Sequence, residues 1–357
     1  MRSAVFVGVR GFLPPAGGDR VRVSRSNGGR GMAGAKALRL GVAVLAAVAL
    51  AGCGGGGKIG GGNNSGQASK KLVLIPGVKA EPFYISMRCG AEEEAKKRGY
   101  ELTEQAPDKF EAGLQTPIVT GVLATKPGGV LIAPTDDKAM ARPMADLKNA
   151  GIKVVEVDTK VTDASISVSK ISSNNEQGGR KAAETLAKLV GEKGSVLVLN
   201  TKAGTSTTDM RAKGFEEEIK KYPNIKYLGQ QYTDNEPAKA AQIVSSTLSA
   251  NPDLAGVFAT NLNTGEGAST GLRNAGKTGA VKLVGFDASP KQVDELRKGG
   301  VDALIAQDPA GIGRRGVEQA VSAIEGKSTE GEIQTDLVAI TRDDMDQQSK
   351  YFYKTTC

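Results

Sequence analysis

Residues 282–307 read KLVGFDASPKQVDELRKGGVDALIAQ, with an apolar run on each side of a polar segment. Residues 283–285 and 303–306 are apolar throughout, which is typical of strands in a parallel sheet that is covered on both faces. Between them, Ser289-Pro290 is a helix start signal and Gly299-Gly300 is a stop signal. The stretch therefore predicts a strand, a helix and a second strand.

The same alternation of short apolar runs and helix-length amphipathic stretches begins at residue 71. The other predicted strands are 72–75, 130–133, 154–157, 196–199, 225–228 and 257–259. The other predicted helices are 86–98, 138–149, 177–190, 211–222, 238–249, 266–274 and 313–324. Alternating strands and helices predict a doubly wound α/β fold. Because these units exceed one ordinary sheet of about five or six strands, we expect two such lobes.

The amino-terminal part of the chain has the pattern of an export signal. An apolar run of Leu, Val and Ala at 40–50 follows Lys36 and Arg39, and small residues lead from it to Cys53. The run is too short for a helix that crosses a bilayer of about 30 Å. Leu50-Ala51-Gly52-Cys53 resembles the bacterial lipobox, which implies cleavage before Cys53 and lipidation of its thiol. We expect residues 1–52 to be the leader and signal peptide, and the Gly-rich residues 53–70 to tether the protein to its lipid anchor.

The basic charge of the chain lies in this leader. Residues 1–31 are rich in Arg and Gly without periodicity, and Met32 has the context of an alternative start. Removing the eight basic residues and one acidic residue of 1–52 from totals of 47 and 39 leaves 39 and 38, a net charge near +1. The mature chain also shows no basic patch with interleaved aromatic residues, so we expect no nucleic-acid partner.

Two cysteines remain besides Cys53, namely Cys89 on the first predicted helix and Cys357. Disulfides persist in exported proteins, so we expect a bridge between these two cysteines. The alternative is two independent thiols.

Polar side chains follow the predicted strands, where open α/β sheets bind ligands. Carboxylates and amides bind hydroxyl groups, and an aromatic ring packs on the C–H face of a sugar. This set predicts a cleft between the lobes for a small polar solute. Its members are Phe83, Tyr84, Asp158, Thr159, Asn261, Asp287 and Gln307.

At these residues the chain resembles the ribose-type periplasmic binding proteins, the type I sugar-binding components of ABC importers, over residues 71–341. The resemblance is carried in order by Pro82-Phe83-Tyr84, 132–136, 203–206 with Arg211, 257–261, 284–287 and 305–307. It implies two Rossmann-like doubly wound lobes joined by a three-stranded hinge. The implied bounds are 71–172 plus 308–334 for the N-terminal lobe and 173–307 plus 335–345 for the C-terminal lobe, with a C-terminal tail at 346–357. It also implies closure of the lobes on the ligand and recognition by an ABC permease.

Carried over residue by residue, the resemblance places Phe83 and Tyr84 against the sugar ring. It places Asp158, Arg211, Asn261, Asp287 and Gln307 on its polar groups, with Glu81 where the ribose binders have an amide. Three positions depart from the family pattern: Thr159 and Asp209 stand where arginines are expected, and Asn235 where an aromatic residue is expected. Losing two guanidinium groups removes fixed multi-donor recognition, which argues against ribose. A different sugar, a polyol or an amine-bearing solute remains open.

Three other functions are weighed against solute capture for import. The chain contains no His and no nucleophile elbow or phosphate-binding loop, so we expect no enzyme activity, no cofactor and no metal. A transcription regulator needs a helix-turn-helix where this chain has its signal and tether. A ligand-sensing lipoprotein that reports to a signalling partner is not separated from a transport protein by the sequence. We expect a monomer.

Overall fold

The computed structural model describes residues 69–357. The predictions for the leader, Met32, Cys53 and the tether up to residue 68 lie outside the described residues. Within 69–357, no helix has both the length and the apolar character that a membrane span requires.

Twelve strands and nine α-helices alternate along the described chain. In order they are β1 (Lys71–Ile75), α1 (Pro82–Lys97), β2 (Glu101–Glu104), α2 (Ala112–Thr125), β3 (Gly129–Ile132), α3 (Ala141–Asn149), β4 (Lys153–Val157), β5 (Ser169–Ser173), α4 (Asn175–Leu189), β6 (Gly194–Asn200), α5 (Ser206–Ile219), β7 (Ile225–Tyr232), α6 (Pro237–Ala250), β8 (Leu254–Ala259), α7 (Leu262–Asn274), β9 (Lys282–Phe286), α8 (Pro290–Lys298), β10 (Ala303–Gln307), α9 (Pro309–Ile324), β11 (Glu332–Thr335) and β12 (Leu337–Thr341).

The strands form two sheets of six, each the centre of one lobe. The first has the order β11-β5-β4-β3-β1-β2, and the second has the order β12-β10-β9-β8-β6-β7. All neighbours are parallel except β12, which runs antiparallel to β10. Helices cover both faces of each sheet, which is why the central strands are apolar throughout. The predicted two-lobe doubly wound α/β fold is confirmed.

The chain passes between the two sheets three times: from β5 into α4, from β10 into α9, and from β11 to β12. These three segments are the hinge. Gln307, the last residue of β10, therefore lies at the boundary between the lobes.

Every predicted apolar run lies in or overlaps a strand, whereas several polar elements had not been predicted. β2 and β11 are half-exposed edge strands, and β5 has the polar sequence SKISS. α2 contains Pro117, which weakened its helical signal. The predicted helices at 211–222 and 266–274 begin earlier than expected, at Ser206 and Leu262, because their first turns contain Ser, Thr, Asn or Gly, which give little helical signal.

The structure contains the disulfide between Cys89 on α1 and Cys357, with 5.2 Å between the two Cα atoms. It joins residues that are 268 positions apart in the sequence.

Glycines allow α1 and α9 to pack at close range. A Cβ on Gly90 would overlap the carbonyl oxygen of Ala310, and a Cβ on Gly313 would overlap that of Met87. The backbones of the two helices are therefore in contact at both positions.

We expect Gly313→Ala to lower the free energy of unfolding by about 1–3 kcal/mol, because the methyl group forces the two helices apart. Gly113→Ala is the control, since no atom lies within 4 Å of the position that its methyl group would take, and alanine favours a helix by up to about 1 kcal/mol. Urea unfolding of both variants measures the difference. Equal stability of the two variants would contradict this packing.

Candidate functional site

A cavity lies between the carboxyl ends of the parallel strands of the two lobes. Ten of the eleven residues predicted for ligand binding line it, and Asp209 does not. The predicted residues on its wall are Glu81, Phe83, Tyr84, Asp158, Thr159, Arg211, Asn235, Asn261, Asp287 and Gln307. Five further residues line it that the sequence had not indicated: Phe110, Thr201, Thr205, Thr207 and Thr208.

The aromatic pair comes from the first turn of α1. Pro82 begins the helix, a position where its fixed φ angle and missing N–H are tolerated. The rings of Phe83 and Tyr84 meet edge to face, with centroids 5.1 Å apart. The Tyr84 hydroxyl donates a hydrogen bond of 3.0 Å to Oδ2 of Asp158.

Asp158 follows β4 in the left-handed backbone region, with φ +64°. Its N–H donates to the carbonyl of Ile171 at 2.8 Å, which fixes this turn. Burial raises the pKa of the Asp158 carboxyl to about 6, although Arg211 and the Tyr84 hydroxyl favour its ionised form. At neutral pH Asp158 is therefore a buried carboxylate that accepts hydrogen bonds.

Arg211 is the cation of the cavity, and it is almost completely buried. Its Nε donates to Oδ1 of Asn175 and its Nη1 donates to the carbonyl of Thr260, both at 2.8 Å. The guanidinium lies 3.7 Å from the centre of the Phe286 ring. Burial lowers its pKa, an effect that Asp287 and Asp158 oppose. The fixed plane leaves Nη2 for a ligand.

Asp287 and Gln307 form the floor of the cavity at the hinge. Oδ1 of Asp287 accepts hydrogen bonds from Gln307 Nε2 at 2.6 Å and from the Tyr353 hydroxyl at 2.8 Å. Its Oδ2 accepts the N–H of Leu262 at 2.9 Å. Gln307 accepts from Ser173 Oγ at 2.8 Å, so a side chain of each lobe orients it.

Asn261 and Asn235 form an amide pair on the second lobe. Asn261 caps α7, accepting the Thr264 N–H at 3.1 Å. Its Nδ2 donates to Oδ1 of Asn235 at 2.8 Å. Asn235 has a φ of +60°, a conformation that asparagine tolerates better than the aromatic residue expected there.

Glu81 lies directly before α1 and makes no hydrogen bond that caps the helix. Burial, followed by repulsion from Asp287 and Asp158, raises its pKa to about 8. At neutral pH Glu81 is therefore mostly a neutral carboxyl, which can donate as well as accept a hydrogen bond. The protonated carboxyl of Glu81 can donate the hydrogen bond that an amide would donate at this position.

Asp209 had been expected to bind the ligand, and the structure places it outside the cavity wall. Its carboxylate accepts the N–H of Gly204 at 2.9 Å and Nδ2 of Asn200 at 3.0 Å. These bonds hold the loop after β6, so the carboxylate is turned away from the cavity.

The unpredicted wall residues come from two regions of the chain. Phe110 follows the edge strand β2, which the apolar pattern did not indicate, and the four threonines follow β6 or begin α5. Thr205 is the most informative, because its buried Oγ1 has no hydrogen-bond partner within the described residues. Among these residues, only the stretch 203–206 was indicated by the sequence. It did not indicate which hydroxyl group faces the cavity.

The lobes also contact each other at the rim of the cavity. Lys160 N–H donates to Ser206 Oγ at 2.9 Å, and Asp137 N–H donates to the carbonyl of Gly204 at 3.0 Å. Lys202 Nζ lies 5.7 Å from the centre of the Phe110 ring. The structure thus shows the lobes closed on the cavity.

A polar cavity between two closed lobes defines a solute-binding protein. A family model described as the periplasmic binding protein domain matches residues 72–328. The chain is 32% identical over 279 residues to the ribose import binding protein RbsB of Escherichia coli (strain K12), covering 77% of this chain and 92% of that protein. It is 27% identical over 269 residues to the D-allose-binding periplasmic protein of the same organism, covering 73% and 86%.

Among solved structures, an ABC transporter solute-binding protein from Agrobacterium vitis bound with α-D-tagatopyranose is similar, with 39% identity and a TM-score of 0.78. The match covers 80% of this chain and 99% of that one. This chain belongs to the periplasmic binding protein family, and the predicted resemblance to its ribose-type members is confirmed. Such proteins bind solutes for ABC importers without transforming them, and they are exported to the periplasm. The expectation of a binding protein without enzyme activity is therefore confirmed.

We expect the ligand-free protein to lose stability as pH rises from about 4.5 to 8. Over this range folded Glu81 keeps a proton that the unfolded chain releases near its ordinary pKa of 4.5, and Asp158 does the same from 3.8 to about 6. Glu81→Gln should make the free energy of unfolding depend less on pH above pH 6, because an amide does not titrate. Urea unfolding between pH 5 and 8.5 measures the slope.

Glu111→Gln is the matched control, because Glu111 precedes α2 with the same extended backbone but is exposed. It should keep the slope of the wild-type protein. Identical slopes for all three proteins would show that Glu81 is not buried against the other carboxylates.

Proposed function

We propose that this protein is the lipid-anchored substrate-binding component of an ABC importer, and that it captures a small neutral sugar or polyol between its lobes. The observation that carries the proposal is the cavity wall, where aromatic rings from α1 face a set of oriented carboxylates, amides and one guanidinium. Hydroxyl groups of a sugar require such mixed donors and acceptors, and its C–H face packs on an aromatic ring.

The pre-formed arrangement of the wall supports a small ligand such as a monosaccharide. Asp287, Gln307 and Arg211 are held by other protein groups before any ligand arrives, so a ligand finds them pre-oriented. The relatives named for ribose and D-allose and the neighbour bound with tagatose support this class of ligand.

The charges of the wall argue against an acidic sugar. Three carboxyl groups, Glu81, Asp158 and Asp287, share the cavity with one cation, Arg211. Thr159 stands where the ribose pattern has an arginine, and its hydroxyl is already used, donating to the carbonyl of Pro134 at 2.8 Å. Because Glu81 is mostly neutral, the two carboxylates of Asp158 and Asp287 exceed the single cation by one charge, which favours an amine-bearing solute as the second candidate.

The closed lobes support a role in import. The backbone N–H groups of Lys160 and Asp137 in the first lobe bond to Ser206 and Gly204 in the second, so closure presents one continuous rim. A permease that recognises this rim distinguishes loaded from empty protein. A sensor would use the same closure, and the adjacent genes discriminate the two roles: an ABC ATPase and permease support import, and a membrane kinase supports sensing.

We expect a neutral sugar or sugar alcohol to raise the melting temperature, because a ligand that binds only the folded state stabilises it by about 2.7 kcal/mol at 100 times its Kd. The screen contains D-tagatose, D-ribose, D-allose, D-fucose, their sugar alcohols and the amino sugar D-glucosamine. Thermal unfolding with each compound is the measurement. A shift with D-glucosamine alone would transfer the proposal to amine-bearing solutes.

In the same screen, Asp287→Ala should weaken binding of the best sugar at least 100-fold while the protein remains folded, because the floor loses its central acceptor. Asp294→Ala is the control, since Asp294 is an exposed residue of α8 that pairs with Lys298 on the surface. Unchanged affinity of the Asp287 variant would remove this residue from the site.

We expect Cys53→Ser to abolish incorporation of labelled palmitate into the protein, because a single sequence position provides the thiol for lipidation. Labelling of growing cells followed by electrophoresis of the purified protein measures the incorporation. Cys357→Ser is the control for general effects of losing a thiol and should keep the label. Incorporation of label into the Cys53 variant would contradict the anchor.

A further inference from the structure

The C-terminal tail, residues 346–357, takes a path that the binding cleft alone does not explain. It leaves the second lobe after β12 and passes through a short 3-10 helix at Ser349–Tyr351. It then runs behind the cavity, on the side of the hinge, towards α1 of the first lobe.

The tail crosses between the lobes within two residues. Tyr353 N–H donates to the carbonyl of Ala288 in the second lobe at 2.9 Å. Lys354 N–H donates to Oγ of Ser86 on α1 in the first lobe at 2.7 Å. The disulfide to Cys89 then fixes the tail to α1. The lobes are thus joined four times, three times by the hinge and once by this tail.

Tyr353 lies at the crossing point and is almost completely buried, with 4% of its surface exposed. Its ring packs edge to face on Phe83, with centroids 5.7 Å apart. Its hydroxyl donates to Oδ1 of Asp287 at 2.8 Å, and the N–H of Gln307 approaches that hydroxyl at 3.4 Å. One side chain therefore contacts a wall residue of each lobe and a residue of the hinge.

The contact with Asp287 decides where that carboxylate points. Oδ1 is held by Tyr353 and Gln307, and Oδ2 is held by the N–H of Leu262. A carboxylate has about four lone-pair sites, so these three bonds orient it and leave one acceptor site. Without the phenol, the burial of Asp287 costs more and its orientation depends on Gln307 and Leu262 alone.

We propose that the C-terminal tail is a fourth, disulfide-closed connection between the lobes and that Tyr353 is a positioning residue, which holds Asp287 in its ligand-binding orientation. The inference rests on the proposed function for its effect on affinity, and on the geometry of the tail for its effect on the ligand-free protein. The disulfide restricts the freedom of the tail, so Tyr353 stays between the lobes when no ligand is bound.

The test compares three changes in the whole exported protein. Tyr353→Phe keeps the ring on Phe83 and removes only the donor to Asp287. The double variant Cys89→Ser/Cys357→Ser keeps Tyr353 and opens the connection. Tyr351→Phe is the matched control, because Tyr351 is in the same tail and its ring lies under Lys350, away from Asp287.

With D-tagatose and D-ribose as probes, calorimetry should show Kd raised about tenfold by Tyr353→Phe and by the cysteine double variant, and unchanged by Tyr351→Phe. The melting temperature of ligand-free Tyr353→Phe should fall by only a few degrees, because Asp287 keeps the donors of Gln307 and Leu262. A positioning role predicts this separation of affinity from stability. Affinity unchanged in both variants would overturn the proposal, as would a loss of affinity that only matches a loss of folded protein.

A second measurement needs no ligand and therefore separates this proposal from the proposed function. Hydrogen exchange of the Leu262 amide, which donates to Asp287, should accelerate about tenfold in ligand-free Tyr353→Phe and in the cysteine double variant. Small-angle scattering should show a larger radius of gyration for the double variant alone. If neither sugar binds even the wild-type protein, these results still decide the role of the tail.

Peptide mapping without reductant should recover the peptides of Cys89 and Cys357 as one linked pair. Two free thiols at these positions would overturn the connection. Unchanged exchange of Leu262 in both variants would overturn the positioning role of Tyr353.

Discussion

The site depends on the interactions that balance the buried guanidinium of Arg211. A cation in a nearly solvent-free position requires partners on all sides, because an uncompensated buried charge costs several kcal/mol. Asn175, the carbonyl of Thr260 and the ring of Phe286 supply neutral partners, while Asp158 and Asp287 supply charge from opposite lobes. The closed arrangement of the lobes is therefore also the arrangement in which this charge is balanced.

The parallel sheets place these groups by a simple rule. Parallel strands end at the same edge of their sheet, so Asp158 after β4 and Asp287 after β9 reach the cleft from opposite sides. Both residues have left-handed backbone, which turns the chain sharply from the strand and directs the side chain into the cavity. Helices continue behind them, with Asn261 capping α7 and leaving its Nδ2 for Asn235. The residues that satisfy the local backbone after these strands are therefore the same residues that line the cavity.

Residues of both lobes, the hinge and the tail together position the cavity floor. Gln307 is oriented by Ser173 of the first lobe and donates to Asp287 of the second, and Tyr353 reaches the same oxygen from the tail. The carboxylate is thereby sensitive to the relative position of the lobes. Glu81, whose pKa is raised to about 8, adds a neutral carboxyl opposite this floor, so the cavity combines one charged floor with a donor on its other wall. A small neutral solute with several hydroxyl groups matches that combination, as do the sugars named for its relatives.

The amino-acid sequence alone predicted the two-lobe α/β fold, because continuous apolar runs such as 283–285 and 303–306 alternate with helix-length amphipathic stretches and are typical of strands that are covered on both faces. It also indicated part of the wall, since residues directly after such strands, such as Asp158, Asn261 and Asp287, have to lie at the cleft. Glu81, Arg211 and Asn235 were implied by the family resemblance. Only the tertiary structure shows which of these side chains face the cavity and which distant residues join them. Asp209 is turned to Gly204 and Asn200, Thr205 is turned inward, and Phe110 and Tyr353 arrive from an edge-strand loop and the tail. Side-chain direction and long-range contacts depend on partners far away in the chain, whereas the burial of a strand is indicated by the strand's own residues.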